Sequence, residues 1–137
     1  ICDPDEFLSN KQIKSLNKLI KNLTESSIVT CKDGDKGLEI GVAIINRFNH
    51  YNHIKPYKED SSELSYQMRQ GLSIKYAKKI HDTWGVGHKY CNNGMLIFIT
   101  IHDRYIYIST GKGIKGIISD AFINDYISVM IRDNMRH

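Results

Sequence analysis

Three short runs of apolar, mostly β-branched residues constrain the fold of this chain more than any other feature. They lie at residues 39–46, 95–102 and 105–110. A continuous apolar run of this length is typical of a strand that is covered on both faces. Only Asp103 and Arg104 separate the second run from the third, so those two strands must form an antiparallel hairpin. The long stretch between the first and second runs leaves them free to lie parallel through a right-handed crossover.

A first amphipathic helix is predicted before these strands. Ser9 and Gln12 match a capping box at its start, and Leu8 is placed to pack onto Ile13. The apolar stripe of this helix then continues through Leu16, Leu19, Ile20 and Leu23. The segment 24–38 is rich in turn-forming residues without a period and is predicted to be a loop.

Two more helices complete the predicted fold. The second is expected to begin at residue 61 or 62 and to end at Thr83, and the last to begin at Ser119 or Asp120. Helices that alternate with strands in this way cover the faces of a sheet. We therefore predict one domain over residues 1–137, of the α/β class, in which helices pack on a small mixed β-sheet.

Charge and glycine patterns argue against nucleic-acid and nucleotide binding. The net charge is +4, but the lysines are spread over predicted helix faces rather than clustered. Residues 111–116 match the G-x-G-x-x-G pattern of dinucleotide-binding loops. The strand before them belongs to a hairpin, whereas that motif needs a parallel strand, so we expect a plain glycine loop and no nucleotide. The nucleophile pattern G-x-S-x-G does not occur in the sequence.

The cysteines and one sequon favour a secreted chain. Cys2, Cys31 and Cys91 are odd in number, which fits one disulfide and one remaining thiol, or a partner outside this sequence. Three free thiols in a cytosolic protein are the alternative. Asn22-Leu23-Thr24 is an acceptor sequon for N-glycosylation. No apolar run approaches the length of a membrane span, and any signal peptide or membrane tether is expected outside this sequence.

Acidic residues are predicted to meet where the first two strands end. If the first helix runs antiparallel to the first strand, its start brings Asp3, Asp5 and Glu6 near Asp103. Carboxylates grouped above strand ends suit Ca²⁺ or Mg²⁺. The alternative is that these residues only form turns.

The opposite edge of the sheet offers a second group of polar residues. Asn92, Asn93 and the glycine loop are predicted to lie there together with Asp120 at a predicted helix start. Asp120 is equally well explained as a helix cap.

Several motifs have an order and a spacing that resemble those of the TPM domain family, over nearly the whole chain. They are YAKKI at 76–80, WGVG at 84–87, NNGML at 92–96, DR at 103–104 and STG at 109–111. The three cysteines, with Cys2 before Asp3 and Cys91 before Asn92, are similar to the animal branch, the modulators of levamisole receptors. This likeness implies an extracellular or lumenal location with membrane anchoring in the full-length protein. It leaves the cysteine pairing open, although Cys31 and Cys91 both precede strands and are able to share an edge.

The resemblance implies a compact α/β/α sandwich, in which helices flank the small mixed β-sheet. It also implies contrasting activities. Animal members act as auxiliary proteins of acetylcholine receptors, plant members serve photosystem repair and have been credited with acid phosphatase activity, and some members bind calcium. Members often carry an acidic residue where this chain has Lys115, which leaves Lys112 and Lys115 available to an anionic partner. Our leading hypothesis is a non-enzymatic accessory module of a membrane protein complex or receptor that binds a divalent cation. The alternative is a metal-dependent phosphomonoesterase that uses Asp3, Asp5 and Asp103.

Overall fold

The computed structural model describes residues 1–47, 66–116 and 118, and for residues 66–69 it describes the backbone. The elements in chain order are α1 (Asn10–Ser26), β1 (Val29–Cys31), β2 (Gly34–Lys36), β3 (Glu39–Ile45), α2 (Tyr66–Trp84), β4 (Gly94–Thr100) and β5 (Tyr105–Thr110). The predicted start of the second helix and the whole predicted last helix lie outside the described residues.

The main sheet has the order β3-β4-β5 and is mixed, as predicted. β3 pairs in parallel with β4, from Glu39 opposite Gly94 to Ile45 opposite Thr100. β5 returns antiparallel to β4, through a turn in which Arg104 adopts a positive φ of 52°. The α/β class predicted from the apolar runs is therefore confirmed.

Alternating side chains give the main sheet two apolar faces. α2 packs against β4 and β5, and Tyr76 of α2 stacks on Phe98 with ring centroids 6.1 Å apart. The buried residues of this first face are Ala43, Leu72, Ala77, Leu96 and Phe98. The second face centres on Ile106 and Ile108, against which Met95, Ile97, Ile99 and Ile118 pack. Trp84, the last residue of α2, is 44% exposed.

The first helix begins as the sequence predicts. The Ser9 hydroxyl accepts a hydrogen bond from the Gln12 amide at 3.3 Å, and the Gln12 side chain accepts one from the Ser9 amide at 2.8 Å. This capping box satisfies two amides that the first turn leaves without partners. At the other end, the Thr24 hydroxyl donates to the carbonyl of Leu38 at 2.7 Å and ties α1 to the start of β3. Asn22, the glycosylation candidate, is exposed on α1.

The segment predicted to be a loop contains a small hairpin instead. β1 and β2 pair antiparallel from Val29 opposite Lys36 to Cys31 opposite Gly34. Each strand has only three residues, too few for a period to show in the sequence. The hairpin is fastened to the rest of the fold by a disulfide between Cys31 and Cys91, whose Cα atoms are 5.2 Å apart.

The disulfide indicates an oxidising, extracellular-type environment. Cys2 is the remaining free cysteine and is exposed. Among the helices in the described part of the chain, none has the length and apolar character required to cross a membrane.

Candidate functional site

The start of the chain lies along the outer edge of β3. The Cys2 amide donates to the Val42 carbonyl at 2.8 Å, and the Ile44 amide donates back to the Cys2 carbonyl at 2.9 Å. This pairing carries the next residues toward the carboxyl end of β3. There, a carboxylate oxygen of Asp5 accepts a hydrogen bond from the Asn46 amide at 2.9 Å.

Asp103 lies at the same edge, in the turn between β4 and β5. Its side chain is 8% exposed, and Nδ1 of His102 lies 3.9 Å from its carboxylate. The His102 amide donates to the Asn46 carbonyl at 2.7 Å. Asn46 is thus bonded on one side to Asp5 and on the other to the residue before Asp103, which places both carboxylates at the predicted edge.

Asp3 has a local role at this edge. Its two carboxylate oxygens accept hydrogen bonds from the amides of Phe7 at 3.0 Å and Leu8 at 2.7 Å, which closes the turn that leads into α1. Within residues 1–47, 66–116 and 118, no group of three or more His, Cys, Asp or Glu side chains is arranged to hold a metal ion. The cation site of Asp3, Asp5 and Asp103 stays a prediction.

A basic cleft of about 750 Å³ opens at the opposite edge. It lies between the end of α2, the loop of residues 85–93 (the 85–93 loop) and the end of β5. The described charged residues in its lining are Lys78, Lys89, Lys112, Lys115 and Asp82. Among these described residues positive charges outnumber negative ones, which suits the cleft to anions. Lys112 and Lys115, singled out from the sequence, both lie in it.

The 85–93 loop is held in one shape by its backbone. Gly87 has a φ of 94°, and a Cβ there would lie 2.5 Å from the Gly94 nitrogen. Only glycine fits at position 87, because other residues rarely adopt this positive φ and would carry the Cβ atom that clashes. The Gly87 amide also donates to a carboxylate oxygen of Glu39 at 2.7 Å. The loop is therefore fixed to the start of β3.

The side chain of Asn93 also holds the 85–93 loop in place, through hydrogen bonds made inside the fold. It is 1% exposed, and its side-chain amide donates to the Gly37 carbonyl at 2.6 Å while its oxygen accepts from the His88 amide at 2.6 Å. The structure thus gives this candidate residue a structural role, joining the loop to the turn before β3. Asp120, its predicted neighbour, lies outside the described residues.

The glycine pattern after β5 has a packing explanation. A Cβ at Gly113 would lie 2.0 Å from the Cys91 carbonyl oxygen, and one at Gly111 would lie 2.3 Å from that of Asn92. The Gly113 amide donates to the Asn92 carbonyl at 3.0 Å. These glycines let two backbone segments touch, and the contact places Lys112 on the cleft.

One pair in the cleft wall was not predicted. His81 of α2 is 8% exposed. Its Nδ1 lies 3.0 Å from Oγ of Ser109 on β5, and its Nε2 lies 3.1 Å from the Val86 carbonyl oxygen. The two residues are 28 positions apart in the sequence, and no motif connects them. Lys78, three residues before His81, was also missed, since only the helical spacing relates the two.

Comparisons with known proteins agree with this architecture. The chain is similar in fold to the BA42 protein of the psychrophilic bacterium Bizionia argentinensis, whose NMR structure aligns with a TM-score of 0.54 at 19% sequence identity. The alignment covers 90% of this chain and 64% of that one. No curated protein matches the sequence. The TPM domain matches over residues 1–137, and the chain therefore belongs to the TPM domain family.

Proposed function

We propose that this chain is an extracytoplasmic accessory module that assists a membrane protein complex by binding an acidic segment of its partner. The observation that carries the proposal is the basic cleft, whose described lining holds four lysines and one aspartate. An electropositive concave surface attracts and orients acidic segments. Membership of the TPM family and the likeness of its cysteines to the receptor-modulator branch support the accessory role.

The cleft is a preformed surface rather than a set of independent side chains. The disulfide fixes Cys91, Asn93 fixes the backbone of His88, and Gly113 bonds to Asn92. Lys89 and Lys112 therefore project from backbone that three separate contacts hold in place. A surface fixed in this way loses little conformational freedom on binding, which favours affinity.

The lysines are exposed, so their contribution should depend on salt. Exposed charges are screened over about 8 Å at physiological ionic strength, and rim charges act mainly on association rate. We expect a fluorescein-labelled decaglutamate peptide to bind the domain at low salt, measured by fluorescence anisotropy, and to bind more weakly as salt is added.

A charge-reversal pair tests whether the cleft is the binding surface. Lys78→Glu with Lys112→Glu should weaken peptide binding at least about ten-fold, since roughly 1.4 kcal/mol of attraction is lost. Lys14→Glu with Lys18→Glu changes the net charge equally on the exposed face of α1 and is the matched control. Equal weakening in both double variants would show that net charge alone drives binding and would reject the cleft.

The metal-dependent phosphomonoesterase stays the alternative. It needs a ligand set for a cation, and no described group of three or more carboxylate, histidine or cysteine side chains provides one. Turnover of a chromogenic phosphomonoester by the wild-type domain, lost in Asp103→Asn with the fold intact, would establish that activity.

A further inference from the structure

The hydrogen bonds of His81 determine which of its nitrogens carries the proton. Nε2 lies 3.1 Å from the Val86 carbonyl oxygen, and Nδ1 lies 3.0 Å from Oγ of Ser109. A carbonyl oxygen can only accept, so the neutral imidazole carries its proton on Nε2. Nδ1 is then an acceptor, and the Ser109 hydroxyl donates to it. The hydroxyl proton of Ser109 is therefore directed at Nδ1 of His81, which is able to accept it as a base.

This arrangement has the parts of an activated serine. A nucleophile of this kind needs a base within about 2.6–3.2 Å, and the base needs a third group that orients it. Ser109, His81 and the Val86 carbonyl supply these three parts, and all three residues line the basic cleft. From this geometry we propose that Ser109 is a nucleophile and that His81 is its general base.

The surrounding charges indicate the class of substrate. Lys78 lies three residues before His81 on α2, and residues at that spacing are neighbours on one helix face. Lys112 lies three residues after Ser109, and both lysines line the cleft. Positive charge beside a nucleophile attracts an anionic substrate and stabilises the oxyanion that forms during attack. The substrate class is a carboxylic ester that carries a separate carboxylate group.

The reaction proceeds in two balanced steps. Oγ of Ser109 bonds to the acyl carbon while its proton moves to Nδ1 of His81. The bond from the acyl carbon to the leaving oxygen then breaks, and the alcohol departs with that proton. Water next adds to the acyl-serine and gives a proton to His81. The acyl–Oγ bond breaks, the carboxylic acid leaves, and Ser109 regains its proton.

A fluorophosphonate probe tests the nucleophile directly on the oxidised 137-residue chain. Attack by Ser109 forms an Oγ–P bond, breaks the P–F bond and releases fluoride, while the serine proton passes through His81 to solvent. We expect one phosphonylated peptide by mass spectrometry, with the label on Ser109. A wild-type chain that stays unlabelled at Ser109 overturns the proposal.

Matched variants separate this role from simple packing. Ser109→Ala should abolish the label, whereas Ser15→Ala on the exposed face of α1 should keep it. His81→Gln should slow labelling at least about 100-fold, the lower range for a general base. His102→Gln, at the opposite edge of the sheet, should leave the rate unchanged. Thermal melts establish that each variant folds, and labelling of folded His81→Gln at the wild-type rate would reject the general base.

Ester turnover tests the substrate class. The free carboxylate of 4-nitrophenyl hemisuccinate also attacks its own ester, so the rate of each ester without protein must be subtracted. After that subtraction we expect the anionic hemisuccinate to be hydrolysed faster than 4-nitrophenyl acetate, and Lys78→Gln to remove that preference. Equal rates for the two esters in the wild type would reject the anionic substrate class. The labelling experiment uses no peptide. Failure of labelling would therefore reject the serine nucleophile without affecting the proposed binding of decaglutamate, and failure of peptide binding would not affect the test of the serine.

Discussion

Removing the disulfide between Cys31 and Cys91 should destabilise the fold by about 4 kcal/mol. The bridge joins positions 60 residues apart. The chain-entropy relation gives an entropy of about 14 cal/mol/K for a loop of that size, which corresponds to about 4 kcal/mol at 25 °C. For a chain of 137 residues, the unfolding entropy is about 0.29 kcal/mol/K, so Tm should fall by about 14 °C.

The double variant Cys31→Ala with Cys91→Ala tests this magnitude in urea unfolding without reductant. Cys2→Ala is the matched control because Cys2 is free and exposed, and its free energy of unfolding should stay within about 0.5 kcal/mol of the wild type. A loss below about 1 kcal/mol in the double variant, against the typical 2–4 for a native bridge, would refute the reasoning. An equal loss in Cys2→Ala would do the same.

Three further predictions concern single residues. Asn93→Ala leaves the His88 amide and the Gly37 carbonyl without their partner and should cost about 2–4 kcal/mol in urea unfolding, whereas exposed Asn17→Ala should be nearly neutral. Gly113→Ala places a methyl group 2.0 Å from the Cys91 carbonyl oxygen and should cost about 1–3 kcal/mol. Gly116→Ala, whose added methyl group meets no described atom within 4 Å, should cost much less, and equal losses would contradict the packing explanation. Calorimetric titration of Ca²⁺ should give a Kd no tighter than about 10⁻⁴ M, as in weak extracellular sites, and no binding to Asp103→Asn. A wild-type chain without saturable binding would reject the cation site.

The sequence predicted the elements whose signals are local. The capping box of Ser9 and Gln12 fixes the start of α1, and the four-residue turn between Thr100 and Tyr105 leaves β4 and β5 only the antiparallel arrangement. The hairpin of β1 and β2 was missed because Asp33 and Gly34 indicate a turn while the flanking strands are too short to show alternation. Contacts with distant segments, including the disulfide, stabilise that hairpin.

The candidate sites were predictable to different degrees. Asp5 and Asp103 lie at one edge because the chain before α1 runs beside β3 toward its carboxyl end, where the parallel strand β4 also ends. The pair of His81 and Ser109 depends instead on how the end of α2 docks across β5. Side-chain register between a helix and a sheet is set by packing across the whole interface, and no single residue reveals it.

The 85–93 loop packs against residues 111–113 and so joins the disulfide to the wall of the cleft, which would couple the proposed ligand binding to the redox state of the chain. Cys91 is in the bridge, and its carbonyl oxygen packs directly against Gly113, the neighbour of Lys112. Thermodynamic coupling between two sites is reciprocal. A ligand that binds the oxidised chain ten-fold more tightly than the reduced chain must lower the reduction potential of the bridge by about 30 mV. An occupied cleft would thus protect its own disulfide from reduction.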